Sequence, residues 1–187
     1  LGLEDAALPL LRKRIELGAG DAETWLLMAR TRRAMGAYVE ALEAYQRAFQ
    51  LGEARSDRLI YAASLYSDLS EDDRALFDQA EVERWLRSAC EIDPQSAAAH
   101  GMLGDLVLAR GDLDAAQTLM RRAVECDPGH LPSLRRLAKL LRRRGDLVGA
   151  GEQAAAAQKL EKDLTKKAEW QLWIDEGEAA KTAPPGG

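Results

Sequence analysis

The sequence has few of the residue types on which metal, redox and catalytic sites depend. Its 187 residues include two cysteines, two histidines and six prolines, and only 5% are aromatic. Neither His100 nor His130 has a cysteine or a second histidine at the spacing of a zinc site. Phosphate-binding loops, nucleophile elbows and zinc-binding helix motifs are also missing from the sequence. We therefore expect no enzyme activity, no cofactor and no metal ion.

The chain also lacks long apolar runs and an excess of basic charge. No apolar run approaches the roughly 20 residues that a membrane-spanning helix needs, so we expect no membrane insertion by this part of the protein. The formal net charge of −5 argues against general nucleic-acid binding, which usually needs a basic face. Ala, Leu, Glu and Arg dominate and β-branched residues are scarce, which predicts an all-α fold.

Two short motifs recur at an interval of 34 residues. Asp93-Pro94 returns as Asp127-Pro128, and Gly111-Asp112-Leu113 returns as Gly145-Asp146-Leu147. This period and the residues around it resemble the tetratricopeptide repeat (TPR), a helix–turn–helix unit. The resemblance is carried by Trp25, Met28, Ala29, Gly36, Ala41, Tyr45 and Ala48, by His100, Leu103, Gly104, Gly111, Ala116, Met120, Ala123 and Pro128, and by Leu134, Leu137, Ala138, Gly145, Ala150, Ala154 and Ala157.

The resemblance implies a right-handed superhelix of antiparallel helix pairs, because one repeat cannot bury its apolar face alone. A four-helix bundle is the alternative fold. The array is predicted to cover 1–176 and to be followed by a flexible tail at 177–187. Its parts are a partial repeat 1–21, full repeats at about 22–55, 56–96, 97–130 and 131–164, and a capping helix to about 176.

Several residues have expected structural roles within this array. Small residues such as Ala29 and Ala41 are predicted to let paired helices approach closely. Gly36, Gly111 and Gly145 are predicted to adopt the left-handed conformation that ends a helix. Pro94 and Pro128 should stop the second helix of their repeats. His100 is interpreted as a packing residue, because it occupies the position of Trp25, and His130 is expected to be solvated.

Two segments depart from the regular repeat. The extra residues of the second full repeat fall around Asp68–Asp78, where Ser70 is predicted to cap a short helix with acids in its first turn. After Leu160, the spacing of Leu164, Ala168 and Leu172, together with Trp170 and Trp173, predicts the capping helix. The two tryptophans are expected to pack on the last repeat, and an exposed aromatic contact site is the alternative.

In TPR proteins the first helices of the repeats line a concave groove, and the resemblance places a ligand there. The implied groove residues are Leu26, Arg30, Arg33, Ile60, Ser64, Asp105, Leu108, Arg135, Lys139, Arg142 and Arg143. Basic residues lie at both ends of this set and apolar residues in its middle, which favours a helical or extended protein segment with acidic ends. The alternative is that Arg142–Arg144 form a solvated face with salt bridges along the helix. The oligomeric state is left open.

A more specific resemblance extends over about 20–130 and is carried by the stretches 21–41 and 80–94 and the insert between them. The sequence from Asp21 to Arg30 and the extended second repeat are similar to TPR proteins of bacterial cytochrome c maturation, the CycH/NrfG type. This resemblance implies a periplasmic protein that holds the C-terminal helix of an apocytochrome, with an anchor in an upstream segment. The alternatives are a cytoplasmic location, a scaffold of a secretion, envelope or polysaccharide-export complex, and a regulatory or oligomerising domain of a larger enzyme.

Overall fold

Within residues 3–182, which the computed structural model describes, the chain forms eleven α-helices and no strand. The all-helical prediction is therefore confirmed for this part of the protein. A short π-helical turn, Phe49–Glu53, follows the third helix. The helices are α1 (Leu3–Glu16), α2 (Ala22–Ala34), α3 (Tyr38–Ala48), α4 (Ser56–Ser67), α5 (Glu71–Arg74), α6 (Gln79–Ile92), α7 (Ala97–Ala109), α8 (Leu113–Cys126), α9 (Leu131–Arg143), α10 (Leu147–Leu160) and α11 (Leu164–Thr182).

The helices are grouped in two compact units. The first unit, Leu1–Ile92, contains α1 to α6, and the second unit, Asp93–Gly187, contains α7 to α11. In the first unit α1 packs on α2, α2 on α3, and α4 on α6. In the second unit α7 packs on α8, α9 on α10, and α10 on α11. Four of these contacts, α2 with α3, α4 with α6, α7 with α8 and α9 with α10, correspond to the helix pairs of the four predicted full repeats.

The turn inside three of the pairs has the same local structure. Gly36, Gly111 and Gly145 have φ angles of 77°, 87° and 82°, the left-handed conformation that glycine adopts at little cost. In two of these turns the next residue is an aspartate that caps the second helix. Asp112 accepts a hydrogen bond from the backbone N–H of residue 115, and Asp146 from that of residue 149. The repeated Gly-Asp-Leu motif thus ends one helix and begins the next.

Small residues lie where the paired helices approach most closely. Ala29, Ala41, Ala116, Ala138 and Ala150 are all buried. Gly104 of α7 faces α8, where a Cβ atom on it would lie 3.0 Å from the Met120 side chain. The predicted role of these positions is confirmed, since a larger side chain would push the two helices apart.

The two histidines are both half-buried. The His130 ring lies 2.7 Å from the Ser133 hydroxyl at the start of α9. The expectation of a solvated His130 side chain therefore holds only in part, and its partial burial lowers its pKa. His100 lies on α7, and its Nε2 atom is 3.1 Å from the carbonyl oxygen of Pro94. Pro94 lies in the connection that follows the end of α6.

The insert of the second full repeat folds into the four-residue helix α5 between two buried anchors. Ser70 caps this helix by accepting a hydrogen bond from the Asp73 backbone N–H, as predicted. Leu69 and Phe77 are buried on either side, and the Phe77 ring lies 5.6 Å from the ring of Trp85. Most side chains between these anchors are exposed, including Leu76 at 70%.

We expect the amides of residues 70–76 to exchange hydrogen faster than those of α7 (Ala97–Ala109). Few buried apolar contacts hold the insert, and its backbone hydrogen bonds close only a single short turn. Hydrogen exchange followed by mass spectrometry on peptides from both segments tests this expectation. Equal protection of the two segments would show that the anchors Leu69 and Phe77 hold the whole insert rigid.

Helix α11 packs on α10 in the region where the sequence predicts a capping helix. Trp170 and Trp173 are 2% and 8% exposed and their rings meet edge to face at 5.0 Å, which rules out the exposed aromatic site. Leu164 and Leu172 are 80% and 56% exposed. The leucines whose spacing helped to predict the helix therefore face outward, and the tryptophans and Gly177 occupy the packed face.

Helix α11 also continues beyond the predicted end of the array at 176. It runs to Thr182, and Gly177 is buried against Gly151 of α10. The tail cannot begin at 177, since packing continues past that point; residues 183–187 lie outside the described part of the chain. None of the described helices is both long and apolar enough to cross a membrane.

Candidate functional site

One face of α2 and one face of α4 border an open groove in the first unit. Leu26, Arg30 and Arg33 share a face of α2, because residues four and seven positions apart lie above one another on a helix. One cavity of about 430 Å³ is lined by Leu26, Arg30, Arg33, Tyr45, Asp57, Arg58 and Tyr61. A second of about 260 Å³ is lined by Arg33, Tyr38, Tyr61, Ser64, Leu65 and Asp68. Arg33 and Tyr61 border both cavities, and we call the combined depression the α2–α4 groove.

The α2–α4 groove carries two arginines whose charges are not balanced nearby. Arg30 and Arg33 are exposed, and neither forms an ion pair within the described part of the chain. The third arginine of the groove, Arg58, is paired with Glu53. Asp57, a carboxylate of the same cavity, is paired with Arg55. The groove therefore attracts an anionic group, and guanidinium groups bind carboxylates through paired, charge-assisted hydrogen bonds.

Aromatic side chains form one wall of the groove and orient one of these arginines. The Arg33 guanidinium lies 5.6 Å from the centre of the Tyr61 ring, in a cation–π arrangement. The Tyr45 and Tyr61 rings meet edge to face at 6.1 Å. Burial raises the pKa of Tyr45, with the nearby arginines acting in the opposite direction. Tyr45 therefore stays protonated at neutral pH and keeps a hydroxyl donor at the groove.

The structure brings together four of the predicted residues in the first unit. Arg30, Arg33 and Ser64 line the groove, and Leu26, only 1% exposed, forms part of its floor. Ile60 lies half-buried on α4 and is not among the lining residues. These positions stay predictions as ligand contacts, although four of the five lie around one depression.

Several groove residues were missed by sequence reasoning. The repeat pattern contains Tyr45, but neither Tyr45, Tyr61 nor Asp57 is among the groove residues predicted from the sequence. Their signal is nevertheless present, since Asp57, Tyr61, Ser64 and Asp68 follow one another at intervals of four, three and four residues on α4. That spacing places all of them on one helix face, beside the faces that carry Leu59 and Ile60.

In the second unit the predicted residues lie mostly on α9. Arg135 and Lys139 border a shallow cavity of about 200 Å³ together with Pro132 and Arg136. Asp105 of α7 forms an ion pair with Arg136 at 2.5 Å. Leu108 is half-buried on α7. This surface is basic but less enclosed than the α2–α4 groove.

The structure shows that Arg142 is engaged within the second unit. It donates two hydrogen bonds of 2.9 and 3.0 Å to the Glu176 carboxylate of α11, and its guanidinium lies 5.3 Å from the centre of the Trp173 ring. The hydrogen bonds from Arg142 lower the pKa of Glu176. Arg142 thus helps to hold the capping helix, whereas Arg143 is exposed and forms no ion pair in residues 3–182.

The alternative interpretation of the basic block as a solvated face holds only in part. Arg142 and Arg144 do form salt bridges, but their partners lie on other helices rather than along α9. The Arg144 partner is Asp114 of α8, at 2.6 Å.

Comparison with known proteins agrees with this architecture. Residues 77–141 match the model of the family described as "Tetratricopeptide repeat". The chain has a TPR fold. No curated protein sequence matches it significantly.

Three solved TPR-like structures cover most of the chain. YrrB, described as a TPR protein with an unusual peptide-binding site, is 19% identical, with 90% of this chain and 84% of YrrB covered at a TM-score of 0.71. TTC0263, a thermophilic TPR protein in Thermus thermophilus, is 21% identical, with 91% and 90% covered at a TM-score of 0.62. Pseudomonas aeruginosa pilF is 14% identical, with 94% and 87% covered at 0.64. These likenesses concern the fold.

The TPR assignment gives the groove its place in the repeat. Helices α2 and α4 are the first helices of two successive helix pairs, and α3 and α6 are the second. Arg30, Arg33, Tyr61 and Ser64 therefore all project from first helices. Tyr45 reaches the groove from a second helix, α3.

Proposed function

We propose that this chain is a protein- or peptide-binding TPR module whose α2–α4 groove takes the ligand. The observation that carries the proposal is the pair of unbalanced arginines, Arg30 and Arg33, beside a tyrosine wall and an apolar floor. Peptide sites need both elements, since apolar and aromatic anchors supply binding energy and charged groups fix orientation and speed association. The fold likeness to YrrB, whose description names a peptide-binding site, supports the same class of ligand.

The proposal makes the chain a binding module and not a catalyst. Among the described residues no group of three or more His, Cys, Asp or Glu side chains is placed to hold a metal ion. The groove contains arginines and tyrosines, but among the described residues no base-activated nucleophile borders it. A helical or an extended protein segment fits this surface better than nucleic acid, because the chain as a whole is acidic.

A narrower role in cytochrome c maturation stays a prediction. Its support is the resemblance of residues 20–130 to that group, which also supplies the proposed periplasmic location. In that role the groove would hold the C-terminal helix of an apocytochrome. Scaffolding of an envelope complex, regulation of a larger enzyme and a cytoplasmic location are the remaining alternatives.

We expect Tyr61→Ala to weaken the binding of groove ligands about tenfold or more, as truncation of an aromatic anchor commonly does. Tyr61 is 41% exposed, so this change should leave the fold intact. Peptides selected by the wild-type protein from a random library displayed on phage would be synthesised with a fluorescent label. Their dissociation constants would then be measured by fluorescence anisotropy.

Leu76→Ala is the matched control, because Leu76 is also a large exposed side chain of the first unit and lies outside the groove. It should leave the dissociation constants unchanged. Selected peptides that bind both variants as tightly as the wild type would place the binding site elsewhere. Failure to select any peptide would count against the proposed function itself.

A further inference from the structure

We infer that the ligand of the α2–α4 groove carries an acidic side chain and, about three residues away along an extended segment, a basic side chain. The inference rests on the proposed function and adds the chemistry of the partner. It comes from the distribution of charge along the groove. Arg30 and Arg33 lie beside Tyr61. Asp68 at the end of α4 is a carboxylate that is unpaired within the described residues, whereas the other carboxylate of the groove, Asp57, already forms an ion pair.

The acid subsite is formed by Arg30, Arg33 and Tyr61. The two arginines lie three positions apart on α2, which brings their Cβ atoms to within about 5–6 Å of each other. One carboxylate can therefore accept hydrogen bonds from both guanidinium groups. The Tyr61 ring already lies beside the Arg33 guanidinium and limits its motion, so less side-chain entropy is lost when the acid binds.

The base subsite is formed by Asp68. Its side chain is exposed and forms no hydrogen bond or ion pair within the described residues, and it borders the second cavity of the groove. Asp68 also follows the last turn of α4, and its backbone N–H bonds to the Ser64 carbonyl. The negative end of the helix dipole adds to the carboxylate charge there, so both favour a cation.

The separation of the two subsites sets the spacing in the ligand. Tyr61 and Asp68 lie seven positions apart on the same face of α4, which corresponds to about 10 Å along the helix axis. A peptide in the extended polyproline II conformation has three residues per turn and rises about 3.1 Å per residue, so side chains three positions apart lie on the same side and about 9 Å apart. An acid and a base separated by two residues would therefore reach both subsites at once, in whichever chain direction the peptide lies.

The acid belongs to a side chain and not to a chain terminus. Arg33 and Tyr61 border both cavities, so the groove continues on either side of the acid subsite. Towards the start of the two helices it extends to Leu26 and Asp57, and in the other direction to Asp68. A ligand that fills the groove passes through the subsite, and an internal Asp or Glu supplies the carboxylate.

For the test, the full chain first selects peptides from the random library. The selected sequences are then synthesised with an acetylated N-terminus and an amidated C-terminus, so that terminal charges are absent. We expect the selected sequences to share an acid and a base with two residues between them. Arg30→Glu together with Arg33→Glu should weaken their binding about 30-fold or more, as the loss and reversal of close charge pairs does. Asp68→Lys should weaken it about tenfold, since only one exposed pair is affected.

Exchanging the charges of both the groove and the peptide distinguishes direct charge pairing from a general effect of the substitutions on binding. The triple variant Arg30→Glu, Arg33→Glu, Asp68→Lys should bind a peptide in which the acid and the base have been exchanged. This peptide should bind the triple variant at least about tenfold more tightly than it binds the wild type. Arg121→Glu and Glu91→Lys, both at exposed positions outside the groove, are controls that should change neither affinity.

Two results would overturn the inference while leaving the proposed function standing. In the first, the selected peptides depend on Tyr61 but lack the paired acid and base. In the second, they carry the pair, yet the triple variant does not prefer the exchanged peptide. Peptides that are insensitive to Tyr61→Ala would overturn both proposals, because the groove itself would then be unoccupied.

Discussion

Replacing Trp170 by alanine is expected to lower the free energy of unfolding of the second unit by about 3–5 kcal/mol. Trp170 is the largest of the fully buried side chains and packs in a cluster with Trp173, Leu134 and Ala154, among others. Its buried indole N–H has no hydrogen-bond partner within the described residues. The loss therefore comes from apolar packing and the cavity left behind, and alanine leaves no polar group newly unsatisfied.

Leu172→Ala is the matched control for Trp170→Ala. Leu172 lies on the same helix but faces outward, with 56% of its surface exposed, so its truncation should change the free energy of unfolding by about 0.5 kcal/mol or less. Urea unfolding followed by circular dichroism measures both variants against the wild type. A Trp170→Ala protein as stable as the Leu172→Ala protein would show that α11 contributes nothing as a cap.

Replacing Gly177 by valine is expected to lower the free energy of unfolding by about 3 kcal/mol, the upper range for overpacking. A Cβ atom on Gly177 would lie 2.9 Å from the Leu147 carbonyl oxygen and 3.2 Å from the Gly151 Cα atom. Both neighbouring atoms belong to the backbone of α10, so no side chain can rotate away. The helices α10 and α11 would have to separate, and the contacts of Trp173 would be weakened with them.

Ala179→Val is the control for Gly177→Val. Ala179 lies two positions further along α11 and is exposed, so valine there costs only the lower helix propensity, about 0.5 kcal/mol. Thermal and urea unfolding of the two variants would be compared under the same conditions. If both variants lose the same small amount, the close approach of α10 and α11 is not needed for stability.

The two stability predictions and the groove experiments concern different units. Tyr61 and Arg33 lie in the first unit, whereas Trp170 and Gly177 lie in the second. Loss of peptide binding in Tyr61→Ala with unchanged unfolding would therefore assign the groove residues to recognition. The α11 variants test the cap and do not touch the groove side chains.

The sequence by itself determined the repeat and most of its internal geometry. A glycine with positive φ at 36, 111 and 145, a small residue at each close approach such as Gly104, and a proline after α6 and α8 are all local requirements. Only one or two residue types satisfy each of them, so the period can be recognised from one chain. The groove-facing sides of α2 and α4, the first helices of their pairs, could be predicted from the repeat, because the repeat fixes which positions share a helix face.

Only the tertiary structure decided which face of α11 is buried and which charges are available. Leu164 and Leu172 repeat as regularly as Trp170 and Trp173, and spacing alone cannot choose between two apolar faces. Which face of α11 is buried depends on α10. Its Gly151 lets the backbone at Gly177 approach closely, and this places Trp170 and Trp173 in the core cluster. Similarly, the repeat pattern predicts Arg142 as a groove residue, but in the folded chain its guanidinium is paired with the carboxylate of Glu176, 34 residues later. Such pairings depend on which distant parts of the chain folding brings together, and a local sequence pattern does not contain that information.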